Sequence, residues 1–130
     1  MLKMIIASGP VIVENGKVLL DKQGADDFWK FCGGKIMKNE SLAETAIRRS
    51  REELGINIEI IDQEPFLIYI KKESPEKSFE VILVHFLAKS IGKIHPGEGV
   101  KEWDWFDLKN LPENLGPNIL PALKHFEFIQ

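Results

Sequence analysis

The sequence predicts a mixed α/β (α+β) fold in which helices sandwich a central mixed β-sheet. Three local signals carry that expectation. An Asn-Gly turn joins two Ile/Val-rich runs near the N-terminus, a strongly capped amphipathic helix follows, and further apolar strands precede a terminal helix.

Taken in order, Met4 to Val13 and Val18 to Leu20 are apolar extended runs separated by Glu14-Asn15-Gly16-Lys17. Asn-Gly adopts positive φ at both central residues, so a hairpin is expected there. Gly24 to Asp27 is a polar connection, Phe28 to Phe31 reads as a short strand, and Gly33-Gly34 breaks the pattern. Ser41-Leu42-Ala43-Glu44 has the form of a capping box, and Gly55 is a natural stop, which places a helix over Ser41 to Leu54. Leu42, Ala43, Ala46, Ile47 and Leu54 form its apolar stripe. Strands are predicted at Pro65 to Lys71 and Phe79 to Ala88, linked by a hairpin loop over Lys72 to Lys77. Ser90 to Lys101, with Gly92, Pro96, Gly97 and Gly99, reads as a long mobile loop, and Trp103 to Phe106 as extended chain. Asn118 is placed to cap a final helix of about ten residues, with Pro121 tolerable in its first turn.

The 130 residues fit one compact domain, and 44% hydrophobic with 28% charged residues is ordinary for a soluble globular chain. Seventeen basic against twenty acidic side chains argue against a broad nucleic-acid surface. They leave room for a small phosphorylated ligand, because a divalent cation can supply positive charge locally. The single cysteine, Cys32, can form no internal disulfide, which suits a reducing, cytoplasmic compartment. Met1 to Pro10 does not read as a signal peptide, and the run around Val81 to Ala88 is too short to cross a bilayer.

The chemistry concentrates between Gly33 and Ile56. Glu40, Glu44, Arg48 and Glu52 lie four apart along one helical face, and Glu53 sits beside that row. Adjacent glutamates near a glycine-bent loop suit a hard cation such as Mg²⁺. On spacing alone, such a ladder reads first as a solvated surface in which each Glu–Arg pair contributes about 0.2–0.5 kcal/mol.

The full stretch resembles the Nudix box, G-x5-E-x7-R-E-U-x-E-E-x-G-U, where U is a bulky aliphatic residue. Gly34, Glu40, Arg48, Glu52, Glu53, Gly55 and Ile56 fall in register, while Arg49 and Ser50 depart from it. Trp29 before the double glycine and Trp105-Phe106-Asp107-Leu108 late in the chain extend the likeness. The resemblance implies a Nudix fold spanning residues 1–130 and a metal-dependent pyrophosphohydrolase. Its substrate would carry a nucleoside diphosphate link, as a nucleoside triphosphate, nucleotide sugar or dinucleoside polyphosphate does. By the same resemblance, Glu52 and Glu53 would be the principal ligands of Mg²⁺ or Mn²⁺, helped by the Gly33 carbonyl. Glu40 would lie in or near the outer ligand sphere, Arg48 would orient the acidic cluster, and Glu98 or Glu102 would add a loop carboxylate. Because Nudix proteins are often dimers, a homodimer is among the arrangements the resemblance implies.

Arg49 stands where the family places a glutamate that ligates metal or activates water. A guanidinium there can pair with Glu53 and compete with the cation. Two expectations follow: catalysis with Glu52, Glu98 or Glu102 as base and Arg49 clamping a substrate phosphate, or nucleotide or protein binding without hydrolysis. Lys35 and Lys22 are the nearest lysines for phosphate, and Phe28, Trp29 or Tyr69 could stack on a base. By the same resemblance, Cys32 stands where the family usually has proline and Asn39 where it often has glycine; Cys32 is read as a small buried residue, and Ser50 as loosening helix packing slightly. His85 is read as a core histidine, and His85, His95 and His125 lack ligand-like spacing for zinc.

Overall fold

A computed structural model of the chain describes residues 3–73, 75–76 and 78–130, so the Lys72–Lys77 loop lies partly outside the described residues. β1 (Lys3–Glu14) and β2 (Lys17–Gln23) form the N-terminal hairpin. Its turn residues Asn15 and Gly16 have φ of 53° and 75°, as the Asn-Gly signal requires. There follow β3 (Gly34–Lys35), α1 (Leu42–Leu54), β4 (Asn57–Ile60), β5 (Phe66–Glu73), β6 (Ser78–Ile91), β7 (Val100–Asp107) and α2 (Ile119–His125). The sheet runs β4-β6-β1-β2-β7, with β3 beside β1 and β5 beside β6. It is mixed because β1 and β6 pair in parallel over Lys3 to Ile12, whereas both hairpins are antiparallel.

Strand alternation divides the core into two layers. Ile12, Leu19, Val84, Phe86 and Ala88 point to one face, where they bury Ala46 and Leu54 of α1. Val11, Val18 and Leu20 point to the other and bury Ile119, Ala122 and Leu123 of α2. The expected sandwich is therefore present. α1 keeps its predicted ends: Ser41 Oγ accepts from Glu44 N at 3.1 Å, Glu44 Oε1 accepts from Ser41 N at 2.9 Å, and Gly55 closes the helix at φ 65°. Such a cap is worth about 1 kcal/mol. Ser50 is fully buried, and its hydroxyl donates back to Ala46 O at 2.7 Å. Asn39 adopts φ 65°, a left-handed conformation that asparagine tolerates nearly as glycine does.

Several boundaries differ from the sequence expectation. Phe28 to Phe31 is not a strand; it makes isolated bridges, Asp21 with Lys30 and Trp29 with Leu115. β4 carries little local signal and forms by pairing with Lys89 to Ile91 and Ala88 at the far end of β6. The segment between β6 and β7 is tethered, because His95 N donates to Leu54 O at 2.7 Å and Gly97 N to Glu53 O at 2.8 Å. α2 has seven residues, and Asn118 makes no side-chain cap; its amide meets His85 Nε2 at 2.9 Å instead. His85 is the core histidine expected, buried with Nδ1 3.0 Å from Phe66 O, and burial pushes its pKa down.

Candidate functional site

The site is assembled where α1 ends against the loop leading into β3. Gly34 pairs with Ser8 and Lys35 with Ala7 of β1, which brings the Cys32–Gly33 peptide across Gly9. A Cβ on Gly9 would lie 1.9 Å from Cys32 O, so this crossing requires glycine. The last turn of α1 then presents Glu52 at the surface and Glu53 to the interior, at 5% exposure.

Two arginines hold the carboxylates. Arg48 Nε and Nη2 donate to Glu40 at 2.6 and 3.0 Å, Nη1 donates to Glu52 Oε1 at 2.8 Å, and Nη2 also reaches Lys35 O at 3.1 Å. Hydrogen bonds from Arg48 and the Thr45 hydroxyl hold the Glu40 carboxyl at about 2, so Glu40 is an anchor for Arg48. Arg49 donates from Nη1 to Glu52 Oε1 at 2.9 Å and from Nη2 to Glu53 Oε1 at 2.6 Å. Its side chain lies over Gly34, where a Cβ would meet Nε at 2.4 Å, and that Nε is buried with no acceptor among the described residues. Gln23 Nε2 also donates to Glu53 Oε1, and Gly33 N donates to Oε2 at 2.8 Å. Gly33 thus reaches Glu53 through its amide.

Sequence reasoning missed Asp21. It is fully buried on β2, in phase with Leu19 toward the α1 face, and neither carboxylate oxygen has a partner among the described residues. Burial, then the nearby Glu53 charge, pushes its pKa from 3.8 up to about 7. The only available signal was an aspartate at an inward-facing position of an apolar strand. A raised carboxyl pKa makes the folded state the better proton binder between those two values. Stability is therefore retained below pH 4 and falls as pH rises toward 7. Asp21→Asn is expected to leave stability unchanged at pH 4 and to raise it at pH 8, by about 4 kcal/mol at most. Equal denaturation midpoints of the two proteins at pH 8 would contradict this.

With every group ionised, Asp21, Glu40, Glu52 and Glu53 face two guanidiniums, leaving two excess negative charges that a divalent cation would neutralise. The oxygen donors of Glu52 and Glu53 suit Mg²⁺ or Mn²⁺. Glu98 follows Gly97, whose amide is bound to Glu53 O, so its exposed side chain belongs to a loop fixed on this turn. Glu102 is not brought to the cluster: it lies across from Lys22, one residue out of phase with Asp21, and pairs with that lysine at 3.5 Å.

Beside Gly33-Gly34 opens a cleft of about 340 Å³. Its floor is the part of the α2 face that the short α2 leaves uncovered, including Ile5, Ala7 and Leu83, and Phe28, Lys35 and Lys72 also line it. Trp29 packs elsewhere, edge-on to Phe106 at 4.6 Å with Lys22 Nζ 4.7 Å from its ring centroid. Tyr69 is out of phase with cleft-lining Ile70 and faces away.

Known proteins resemble this chain in sequence and in fold. The chain is 32% identical over 88 residues to the CTP pyrophosphohydrolase of Escherichia coli, a match covering 65% of this chain and 61% of that enzyme. It is 27% identical over 112 residues to the ADP-ribose pyrophosphatase of Methanocaldococcus jannaschii, covering 83% and 64%. Both matches thus span less than two-thirds of the relative's length. The structure of a MutT Nudix hydrolase from Burkholderia pseudomallei superposes with a TM-score of 0.77 at 26% identity, covering 94% of this chain and 97% of that one. No described helix is long and apolar enough to cross a membrane. The NUDIX domain model matches residues 3–126, and the chain belongs to the Nudix hydrolase family.

Proposed function

We propose that the protein is a cytoplasmic, divalent-cation-dependent pyrophosphohydrolase that splits a diphosphate linkage in a nucleoside diphosphate-linked substrate. The observation that carries this reading is the Glu52–Glu53 turn, held by two arginines and bonded through Glu53 to Gly33, a residue that lines the cleft. Relatives named for CTP and ADP-ribose pyrophosphate cleavage support the substrate class. A cation held by Glu52 and Glu53 would supply charge neutralisation of the phosphates and activation of water.

The chain's own residues do the rest. Phe28, exposed in the cleft wall, offers a face for a nucleobase, and Lys35 stands at the β3 edge for a phosphate. Arg48, anchored by Glu40, positions Glu52. Arg49, whose side chain lies against cleft-lining Gly34, offers a guanidinium that would serve as a bidentate donor for phosphate oxygens. Glu52 or Glu98 accepts the proton of the attacking water. Products would be a nucleoside monophosphate and a second phosphorylated fragment.

The test is turnover of nucleoside triphosphates, nucleotide sugars, ADP-ribose and dinucleoside polyphosphates with Mg²⁺ or Mn²⁺. One class should be turned over, and Glu52→Gln should lower that rate about a hundredfold, since even residues that only support a metal ligand cost ten- to a hundredfold. The pairing of Arg49 with both glutamates favours a second reading, nucleotide binding without hydrolysis. Ligand-induced thermal stabilisation with no turnover on any class would establish that reading and remove the first.

A further inference from the structure

Asp21 from β2, Cys32 from the segment before β3, and Glu53 from the last turn of α1 converge in the interior. One donor atom from each lies within 4.8 Å of the others, and all three residues are buried. Asp21 is the unusual member. At 0% exposure neither of its carboxyl oxygens has a hydrogen-bond partner among the described residues, and the nearby Lys30 and Arg49 charges offset its desolvation only in part. Glu53, by contrast, is fixed in orientation by Arg49 and by the Gly33 amide. Hydrogen bonds of that kind hold a ligating carboxylate in place.

We propose that Asp21, Cys32 and Glu53 form a buried thiolate–carboxylate site for a borderline transition-metal dication such as Zn²⁺ or Co²⁺. It goes beyond the hydrolysis proposed above and shares only Glu53 with it. The sulfur donor selects against Mg²⁺, which takes oxygen ligands, and favours metals that accept thiolate together with carboxylate. Tetrahedral zinc holds its ligands about 2.0–2.3 Å away, hence about 3.3–3.8 Å from each other, so side-chain shifts of about 1 Å close the site. Charge also balances. A thiolate and two carboxylates offset the dication together with the Arg49 guanidinium. Cys32 and Gly33 line the cleft, which gives the ion a route inward. On binding, the Cys32 thiol proton leaves to solvent, because only the thiolate ligates. Burial otherwise pushes that thiol well above its usual range. Three protein ligands leave a fourth position for water or substrate.

The experiment is titration of the full, metal-free chain with Co²⁺, followed by the near-ultraviolet thiolate-to-cobalt charge-transfer absorption. Because the chain has one cysteine, any such band reports Cys32. The expected result is a band saturating at one equivalent, reversed by Zn²⁺ and absent in Cys32→Ser. Asp21→Asn, a neutral isostere, should weaken Co²⁺ affinity at least about tenfold. A wild-type chain without the band, or an Asp21→Asn chain with unchanged band and affinity, overturns the proposal. Mg²⁺-dependent turnover measured on the same wild-type sample keeps the two readings apart. Its absence removes the hydrolytic reading, while the cobalt spectrum alone decides this one.

Discussion

Arg49→Glu should destabilise the metal-free protein and make its stability strongly dependent on divalent cations. In the native site the guanidinium joins Glu52 and Glu53 at 2.9 and 2.6 Å, and the Glu53 carboxylate is 5% exposed. Breaking a buried pair by removing one partner costs about 3–5 kcal/mol. The new carboxylate adds repulsion, since two unit charges about 5 Å apart interact by about 3 kcal/mol at an effective dielectric of 20. Saturating Mn²⁺ binds the folded state and should restore most of the loss. Thermal unfolding with and without Mn²⁺ reads this directly: the metal-induced rise in Tm should be far larger in the variant than in wild type. Equal rises would mean that Arg49 does not compete with the cation. Strong hydrolysis created by Arg49→Glu in an otherwise inactive chain would remove the catalytic reading of the native protein.

Gly9→Ala is expected to be the most damaging single methyl in the molecule. Its Cβ would stand 1.9 Å from Cys32 O and 2.8 Å from Gly33 Cα, both backbone atoms with no rotamer to escape through. Ordinary overpacking costs about 1–3 kcal/mol, and a backbone collision belongs at or beyond the top of that range. To relieve it, β1 must part from the loop that carries Cys32 and Gly33, which uncouples Gly33 N from Glu53 Oε2. Stability and metal affinity should therefore fall together. In chemical denaturation the midpoint should drop with little change in slope. A variant within 1 kcal/mol of wild type that binds Mn²⁺ normally would show that the loop relaxes easily.

These two positions differ in how visible they are before folding. Arg49 declares itself because the box around it is a fixed spacing along one helix, and α1 forms from its own capping groups and apolar stripe. The pairing of Arg49 with Glu53 follows from helical geometry at four-residue separation, so it too could be anticipated. Gly9 has no such local sign, because what demands glycine there is a peptide 23 residues further on.

The same contrast runs through the molecule. Residues that act on near neighbours in the chain gave reliable expectations: Asn15-Gly16 made the hairpin turn, Ser41 and Gly55 bounded α1, and Glu40, Arg48 and Glu52 formed their ladder. Tertiary structure decided whatever depended on a distant partner. β4 exists because the end of β6 offers a ladder, and Asn118 abandons its cap for the buried His85. The Gly97 amide ties the loop carrying Glu98 to the end of α1, whereas strand alternation turns Glu102 away. Asp21 is the clearest case. In sequence it is one aspartate beside a lysine, and only the packing of β2 on the α1 side of the sheet makes it a buried carboxyl group, without a partner among the described residues, next to Glu53 and Cys32. Helix caps and turns are written in adjacent residues, whereas desolvation and charge proximity arise only when separate segments exclude water together.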